Sequence, residues 1–149
     1  QGLDLVSCVM DEMCQDELQF VILGTGEERY ENMFRHYDWK YNDRVSANIY
    51  YSEDMSHKIY AACDAFLMPS LFEPCGLSQL MYLRYGTVPI VRETGGLKDT
   101  VEPYNEYEKT GTGFALQIIM HMRCLVLLIM LRMYITIIRE SGIRLLTGE

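Results

Sequence analysis

The chain has 149 residues, of which 49% are apolar and 23% are charged, and its formal net charge is -8. This length fits one domain that can bury a core without disulfide bonds. The acidic balance argues against a general binder of nucleic acids or anionic membranes, although one phosphate could still bind in a local pocket.

The charge is distributed unevenly along the chain. Residues 1–114 contain nine basic and nineteen acidic residues, whereas residues 115–149 contain four Arg and two Glu. The second segment has no Asp, Asn, Lys, Pro, Phe or Trp and is crowded with Ile, Leu and Met. This change predicts an organisational boundary near residue 115.

The cysteines indicate the redox compartment. They are odd in number, form no C-x-x-C pair and follow no secretory leader: Cys8, Cys14, Cys63, Cys75 and Cys124. We interpret them as the thiols of a protein from a reducing cytoplasm.

In the first part of the chain, a helix is predicted over residues 3–13 from the spacing of apolar side chains. The apolar run 20–23 predicts a buried strand that enters the loop 24–26, and residues 27–37 predict a helix with acids in its first turn. A second strand is predicted over residues 45–51.

Helices and strands continue to alternate after residue 52. Ser52 is a candidate N-cap for a helix through residue 62, and further segments are predicted in the order strand 65–68, helix 77–85, strand 88–91 and a short helix 97–101. Such alternation predicts an α/β fold, with βαβ crossovers and a parallel, Rossmann-like sheet flanked by helices. Ligands bind such sheets at the carboxyl ends of the strands.

The loops after the first two strands contain ligand-type residues. Gly24 and Gly26 would let the backbone approach a ligand closely, although a simple turn is the more frequent explanation of a lone G-x-G. Tyr51 offers an aromatic face at a strand end, where packing is the simpler alternative to stacking on a base.

The loop after the third strand is more specific. Glu73 precedes the start of a helix whose first amides, at Gly76, Leu77 and Ser78, suit a phosphate or a sugar oxygen. The alternative is an exposed Glu73 in a turn, with Cys75 as a small buried residue. After the fourth strand, a second cluster of amides is predicted at the helix start formed by Thr94, Gly95 and Gly96.

These motifs together resemble one enzyme family. The stretch LMPSLFEPCGLSQLMYLRYGTVPIVRETGGLKDTV (67–101) is similar to the characteristic segment of bacterial glycogen synthases and plant starch synthases. The segments QGLDLV (1–6), FVILGTGE (20–27), YYSEDMSHKIYAACDAFLMPS (50–70) and TGTGF (110–114) match in the same order. The resemblance implies the C-terminal, nucleotide-sugar-binding half of a retaining GT-B glucosyltransferase.

The resemblance also implies roles for individual residues. Glu73 corresponds to the glutamate that contacts the donor glucose and is the candidate catalytic residue, and Tyr51 corresponds to the tyrosine that stacks on adenine. The remaining donor-binding candidates lie in the strand-end loops: Gly24, Gly26, Cys75, Gly76, Leu77, Ser78, Thr94, Gly95 and Gly96. The family transfers glucose from ADP-glucose to the non-reducing end of an α-1,4-glucan, and no metal or other cofactor is expected.

The chain departs from the family at two places. The family has an Arg and a Lys before its G-L-D motif, both of which contact the donor phosphates, whereas Gln1 is followed directly by Gly2. The N-terminal half of the GT-B fold has no counterpart either. We therefore expect this chain alone to be inactive, because cations on a leaving diphosphate provide much of the stabilisation of the transition state.

Residues 115–149 resemble the family only in another reading frame. A DNA sequence that encodes residues 116–126 also encodes ANYNAHEVLG in a shifted frame, and residues 136–148 yield NNKREWNKIIDRG. Both strings are similar to the family's continuation, so we interpret residues 115–149 as a frameshifted, non-native tail. A membrane helix is the less favoured alternative, because Arg132 interrupts the apolar run. A helix packed onto the domain, with exposed apolar surface and aggregation, is expected instead.

Other functions stay open at this point. The chain could be a residual ADP or ADP-glucose-binding module, a pseudogene product without function, or part of a related GT-B enzyme such as a sucrose synthase. Those related enzymes carry a second Glu eight residues after the first, where this chain has Met81. His36, His57 and His121 have no metal-ligand spacing.

Overall fold

A computed structural model describes residues 2–70, 77–116 and 123–141. Short strands alternate with helices along this part of the chain. The elements are α1 (Leu3–Ser7), α2 (Met10–Met13), β1 (Phe20–Leu23), α3 (Glu28–Lys40), β2 (Val45–Asn48), α4 (Glu53–Ala62), β3 (Ala65–Met68), α5 (Leu77–Arg84), β4 (Val88–Arg92), α6 (Gly95–Thr100), β5 (Phe114–Leu116) and α7 (Arg123–Ser141).

The strands form two sheets, and every strand pair is parallel. β1 pairs with β2, and β4 lies between β3 and β5. The predicted α/β fold with parallel strands is confirmed. The described strands are divided between two sheets, because no hydrogen bonds join β1 to β3 among the described residues.

Several boundaries differ from the prediction. The helix predicted over residues 3–13 is divided into α1 and α2, and Val9 between them has a φ of -117° and a ψ of -7°. The division lets this segment contact two cores, since Leu5, Val9 and Met13 face one cluster and Met10 faces another. β2 ends at Asn48 rather than residue 51. The predicted N-cap is confirmed, because the Ser52 hydroxyl accepts a hydrogen bond of 3.1 Å from the Met55 amide.

The main core lies between α1, the three-stranded sheet and α7. Its buried side chains are apolar and come from widely separated parts of the sequence: Leu5, Val9, Met13, Val88, Ile90, Phe114, Leu116, Leu127, Leu128 and Leu131. The burial of this set is the principal source of stability for the fold.

Helix α7 is attached to the rest of the domain by several kinds of contact. Cys124 forms a disulfide bond with Cys8, and the Arg132 guanidinium donates hydrogen bonds of 2.8 and 3.1 Å to the Asp16 carboxylate. The Tyr134 hydroxyl donates to the Ala115 carbonyl at 3.0 Å. This segment is therefore a packed helix, and none of the described helices is long and apolar enough to cross a membrane.

One face of α7 remains uncovered. Leu125, Ile129 and Met133 are 55%, 57% and 49% exposed and recur every four residues. Residues with this spacing share one side of a helix. The predicted exposed apolar surface is confirmed for this helix, and the expected aggregation stays a prediction.

A smaller core joins α2, α3 and β2. Tyr37 is buried there with Met10, Cys14 and Val45, and burial together with the nearby Asp11 carboxylate raises the pKa of Tyr37 to about 12. A hydrogen bond from the Lys40 ammonium lowers the pKa of Asp11. None of the described residues of the tail belongs to this cluster.

Candidate functional site

The loops after β1 and β2 lie next to each other. Leu23 pairs with Asn48 at the carboxyl ends of these two parallel strands, so the loop 24–26 and Tyr51 both follow the same edge of the sheet. Gly24 has a φ of +143°, which L side chains rarely adopt. The structure thus places the first two predicted donor-binding loops side by side.

Tyr51 is available to a ligand. Its side chain is 84% exposed and directly precedes Ser52, whose hydroxyl caps α4. The cap fixes the backbone next to Tyr51 while leaving the ring in solvent. Exposure of this size argues against the alternative that Tyr51 is a packing residue, because a large aromatic ring gains stability by burial.

The glycine loop after β1 already donates a hydrogen bond to a carboxylate of the same chain. The Gly26 amide donates a hydrogen bond of 3.0 Å to the Glu31 carboxylate, which also pairs with Arg35 at 3.4 Å. A ligand phosphate would therefore compete with Glu31 for this amide. Sequence reasoning missed this contact, although acids in the first turn of a helix are the expected partners of nearby amides.

The loop after β4 contains an unsatisfied hydroxyl. Thr94 Oγ1 is buried and has no hydrogen-bond partner among the residues that the structure describes, whereas the Thr94 amide donates to the Arg92 carbonyl at 2.8 Å. Helix α6 then begins at Gly95, two residues before the predicted start at residue 97, and ends at Thr100. Burying a hydroxyl without a hydrogen-bond partner costs free energy, and a ligand oxygen that accepted its hydrogen bond would remove this cost.

The most specific predicted loop falls largely outside the described residues. Glu73, Cys75 and Gly76 lie there, and Leu77 and Ser78 are the first residues of α5. Met68 pairs with Val91 at the ends of β3 and β4, so the loop that follows β3 starts on the same sheet edge as Thr94. The roles predicted for Glu73 and Cys75 remain predictions.

A large cleft lies between the two sheets. It has a volume of about 1880 Å³ and is lined by β1 on one side and β3 on the other, with Gly24, Gly26 and Pro69 at the carboxyl ends of the strands. Gly2 also lines it, against the Pro69 backbone. Neither this cleft nor the contact between Gly2 and Pro69 was predicted from the sequence, because both depend on the distance between β1 and β3.

The described residues contain no group of three or more His, Cys, Asp and Glu side chains that could hold a metal ion. Positive charge near the glycine loop is compensated, because Arg29 pairs with Glu27 at 2.9 Å and Arg35 pairs with Glu31. The site as described therefore offers amides, a hydroxyl and an aromatic ring, and the arginines beside the glycine loop are held by carboxylates.

Comparison with known proteins agrees with this geometry. Residues 1–117 match the family Glycosyl transferases group 1. The chain is 88% identical over 115 residues to a glycogen synthase of Lachnospira eligens and 76% identical over 113 residues to one of Lachnoclostridium phytofermentans. These matches cover 77% and 76% of this chain but 24% of each relative, so the chain spans about a quarter of their length.

A solved structure shares the fold. The catalytic domain of starch synthase IV from Arabidopsis thaliana, bound to ADP and acarbose, matches 99% of this chain and 32% of its own chain. The TM-score is 0.74 at 30% sequence identity. Together with the strand-end loops described above, these matches show that the chain belongs to the group 1 glycosyl transferases and is similar to the glycogen and starch synthases.

Proposed function

We propose that this chain is the donor-binding part of a glycogen synthase that transfers glucose from ADP-glucose to the non-reducing end of an α-1,4-glucan, with retention. The observation that carries the proposal is the 88% identity over 115 residues to a glycogen synthase. The family match over residues 1–117 includes the strand-end loops.

The geometry supports a division of roles among the donor-binding residues. Tyr51 would stack on the adenine ring, and the amides near Gly24 and Gly26 would lie close to the nucleotide. Thr94 Oγ1 would donate to a ligand oxygen and so gain the partner that it lacks. Glu73 would contact the glucose, assisted by Cys75, Gly76, Leu77 and Ser78, with Gly95 and Gly96 at the second helix start.

The proposal includes binding without turnover by the chain alone. Transfer also needs the N-terminal half of the fold, which contributes to the glucan site, and cations on the diphosphate. The arginines near the glycine loop are paired with carboxylates. Electrostatic stabilisation of the charge that develops on the leaving group provides much of the rate acceleration in such reactions.

Titration of the full chain with ADP-glucose tests donor binding. We expect weak, saturable binding that Tyr51→Ala reduces at least about fivefold, since stacking of a base on an aromatic ring contributes about 1–3 kcal/mol. Tyr107→Ala is the matched control, because Tyr107 is 96% exposed and lies away from the strand-end loops. Equal affinity of the two variants, or no binding at millimolar nucleotide, would contradict the proposal.

We also infer that residues 115–149 arise from a shifted reading frame. The end of the family match at residue 117 supports this, as do the family-like strings encoded in the other frame. Packing of α7 is compatible with the inference, because a helix needs only apolar residues at suitable spacing to cover a core. Sequencing of the locus tests it, and an intact frame without family-like codons downstream would contradict it.

The cytoplasm is the proposed location. An odd number of cysteines without C-x-x-C pairs supports it, and the cytosol keeps thiols reduced. The proposal therefore predicts that Cys8 and Cys124, which are bonded in the structure, are free thiols in cells. Trapping of thiols in freshly lysed cells would measure this, and a quantitatively oxidised pair would contradict the cytoplasmic location.

A further inference from the structure

Glu31 is held close to the glycine loop that follows β1. Its Oε1 atom accepts a hydrogen bond of 3.0 Å from the Gly26 amide. Its side chain is 21% exposed, whereas the side chain of the nearby Glu27 is 67% exposed. The Glu31 carboxylate therefore has a defined place beside the loop, while the Glu27 carboxylate lies largely in solvent.

The second oxygen of the Glu31 carboxylate is weakly engaged. Glu31 Oε2 lies 3.4 Å from Arg35 Nη2, and the same guanidinium donates to the Asn32 side chain at 3.2 Å. Hydrogen bonds between a guanidinium and a carboxylate are commonly about 2.7–2.9 Å long, and the pair of Arg132 with Asp16 reaches 2.8 Å. Since a carboxylate can accept about four hydrogen bonds, Glu31 has capacity left for donors from a ligand.

The space around the glycine loop is open. A Cβ atom added to Gly24 or Gly26 would meet nothing within 4 Å among the residues that the structure describes. The Gly24 amide donates to the Asn48 carbonyl at 3.1 Å, so the loop is fixed at this point as well as at Gly26. Tyr51 follows Asn48 on the same sheet edge, with its side chain 84% exposed. A ligand at this edge would therefore meet a loop whose backbone is already in place.

The charge of this region favours a neutral hydrogen-bond donor over a phosphate. Residues 24–35 contain three glutamates and two arginines, and both arginines are paired with glutamates. A phosphate at the Gly26 amide would have to displace a carboxylate and lie against its like charge. A hydroxyl group would instead donate a charge-assisted hydrogen bond to that carboxylate.

The ribose is the part of the donor that fits this requirement. Under the proposed function the adenine ring stacks on Tyr51, and the ribose is bonded directly to that ring. Its 2′ and 3′ hydroxyls are vicinal, so a single carboxylate can accept hydrogen bonds from both. A carboxylate holds the ribose in the same manner in Rossmann folds that bind dinucleotides.

We propose that Glu31 is a specificity-determining residue of the donor site, where its carboxylate accepts hydrogen bonds from the ribose hydroxyls of ADP-glucose. The inference rests on the proposed function and adds to it a residue of α3 that lies outside the strand-end loops. In this arrangement the Gly26 amide stays bonded to Glu31, and the glycine loop holds no phosphate.

The test compares ADP with 2′-deoxy-ADP and 3′-deoxy-ADP as ligands of the full chain. We expect the native chain to bind at least one deoxy ligand at least about fivefold more weakly than ADP, because a hydrogen bond to an ionised group is lost. In Glu31→Gln this preference should fall to within about twofold. The glutamine retains a carbonyl oxygen for the Gly26 amide, so the variant removes the charge and keeps the contact with the loop.

Glu28→Gln is the matched control. Glu28 is exposed and lies in the first turn of α3, so this variant removes the same charge from the same helix and leaves the contact between Glu31 and Gly26 in place. It should keep the preference of the native chain. An equal loss of preference in both variants would overturn the proposal, since the effect would then come from the charge of the helix.

Two other results would also overturn the proposal. If Glu31 only competes with phosphate, Glu31→Gln should bind ADP and both deoxy ligands more tightly by the same factor. If the carboxylate contacts the amino group of adenine, Glu31→Gln should lose discrimination between ADP and inosine diphosphate and keep the preference for the ribose hydroxyls.

A second variant applies if Glu31→Gln does not fold. Glu31→Asp keeps the charge but shortens the side chain by one methylene, which withdraws the carboxylate from the ligand. The preference for ADP over the deoxy ligands should fall in this variant, and an unchanged preference would contradict the role of Glu31.

The same titrations separate this inference from the proposed function. Binding of ADP that depends on Tyr51 but shows no preference over the deoxy ligands would overturn the inference alone. No binding of ADP or ADP-glucose at millimolar concentration would contradict the proposed function and this inference with it.

Discussion

Residues 2–116 and helix α7 contribute to the same core but differ in their sequence similarity to the family. The match to the family Glycosyl transferases group 1 ends at residue 117, whereas α7 begins at Arg123. Even so, Leu127, Leu128 and Leu131 are buried in the main core beside Phe114 and Leu116. Packing accepts many apolar sequences of suitable volume and spacing.

Binding of a donor substrate depends more strictly on the identity and position of individual residues than packing of a core does. It needs particular atoms at particular places, and every donor-binding residue predicted for this chain precedes residue 97. Helix α7 contributes apolar area, one disulfide bond and an ion pair with Asp16. We therefore expect changes in α7 to affect stability, and changes in the strand-end loops to affect ligand binding.

The largest expected effect on stability concerns the covalent link between the two regions. The bond between Cys8 and Cys124 spans a sequence separation of 116 residues, for which loss of chain entropy in the unfolded state predicts a stabilisation of about 4–5 kcal/mol. Urea unfolding with and without reductant measures it. A Cys8→Ser, Cys124→Ser double variant should show no response to reductant, and a response would assign the effect to another cysteine.

The next effect concerns the apolar contact between α7 and the core. Leu127 is 0% exposed, so Leu127→Ala should lower the free energy of unfolding by about 3 kcal/mol through the cavity that it creates. Leu125→Ala on the uncovered face is the matched control, with an expected change below about 0.5 kcal/mol. Similar losses for both variants would show that α7 does not pack as described.

A third prediction concerns Tyr37 in the smaller core, which should make the free energy of unfolding fall at alkaline pH. The pKa of Tyr37 is raised from 10.0 to about 12, so the unfolded state releases this proton first. Stability is then complete below pH 10 and falls by up to about 2–3 kcal/mol as the pH rises toward 12. Tyr37→Phe should flatten this part of the profile relative to Tyr107→Phe, and identical profiles would contradict the assignment.

The smallest expected effect separates binding from stability. Thr94→Val removes a buried hydroxyl that has no partner among the described residues, so the free energy of unfolding should stay equal or rise by about 1 kcal/mol. The affinity for ADP-glucose should nevertheless fall about fivefold to tenfold, which corresponds to about 1 kcal/mol. Thr112→Val, outside the strand-end loops, is the comparison for affinity. Unchanged affinity in Thr94→Val would show that this hydroxyl does not contribute to binding of the donor.

Local signals in the sequence predicted much of the fold. The apolar runs 20–23 and 65–68 became β1 and β3 with the predicted bounds, and Ser52 is the predicted N-cap. These features depend on residues that are close in sequence. A strand of three residues such as β5 is too short to give a periodic signal, and it was missed.

The remaining features depend on contacts between distant residues. The approach of Gly2 to Pro69 and the open edges of β1 and β3 depend on the relative position of the two sheets. Local sequence patterns do not predict this position. At the candidate site, Tyr51 and Thr94 were predicted by position. The contact of Glu31 with the Gly26 amide was not, because loop geometry decides which nearby acid reaches it.

The most direct test of the central claim is an exchange of segments. Residues 1–116 of this chain replace the aligned segment in the Lachnospira eligens glycogen synthase, and incorporation of glucose from ADP-glucose into glucan is measured. We predict activity within about tenfold of the parent, and loss of activity when the same hybrid carries Glu73→Gln or ends with residues 117–149 of this chain. A folded but inactive hybrid would contradict the claim that residues 1–116 are a competent donor-binding part of a glycogen synthase.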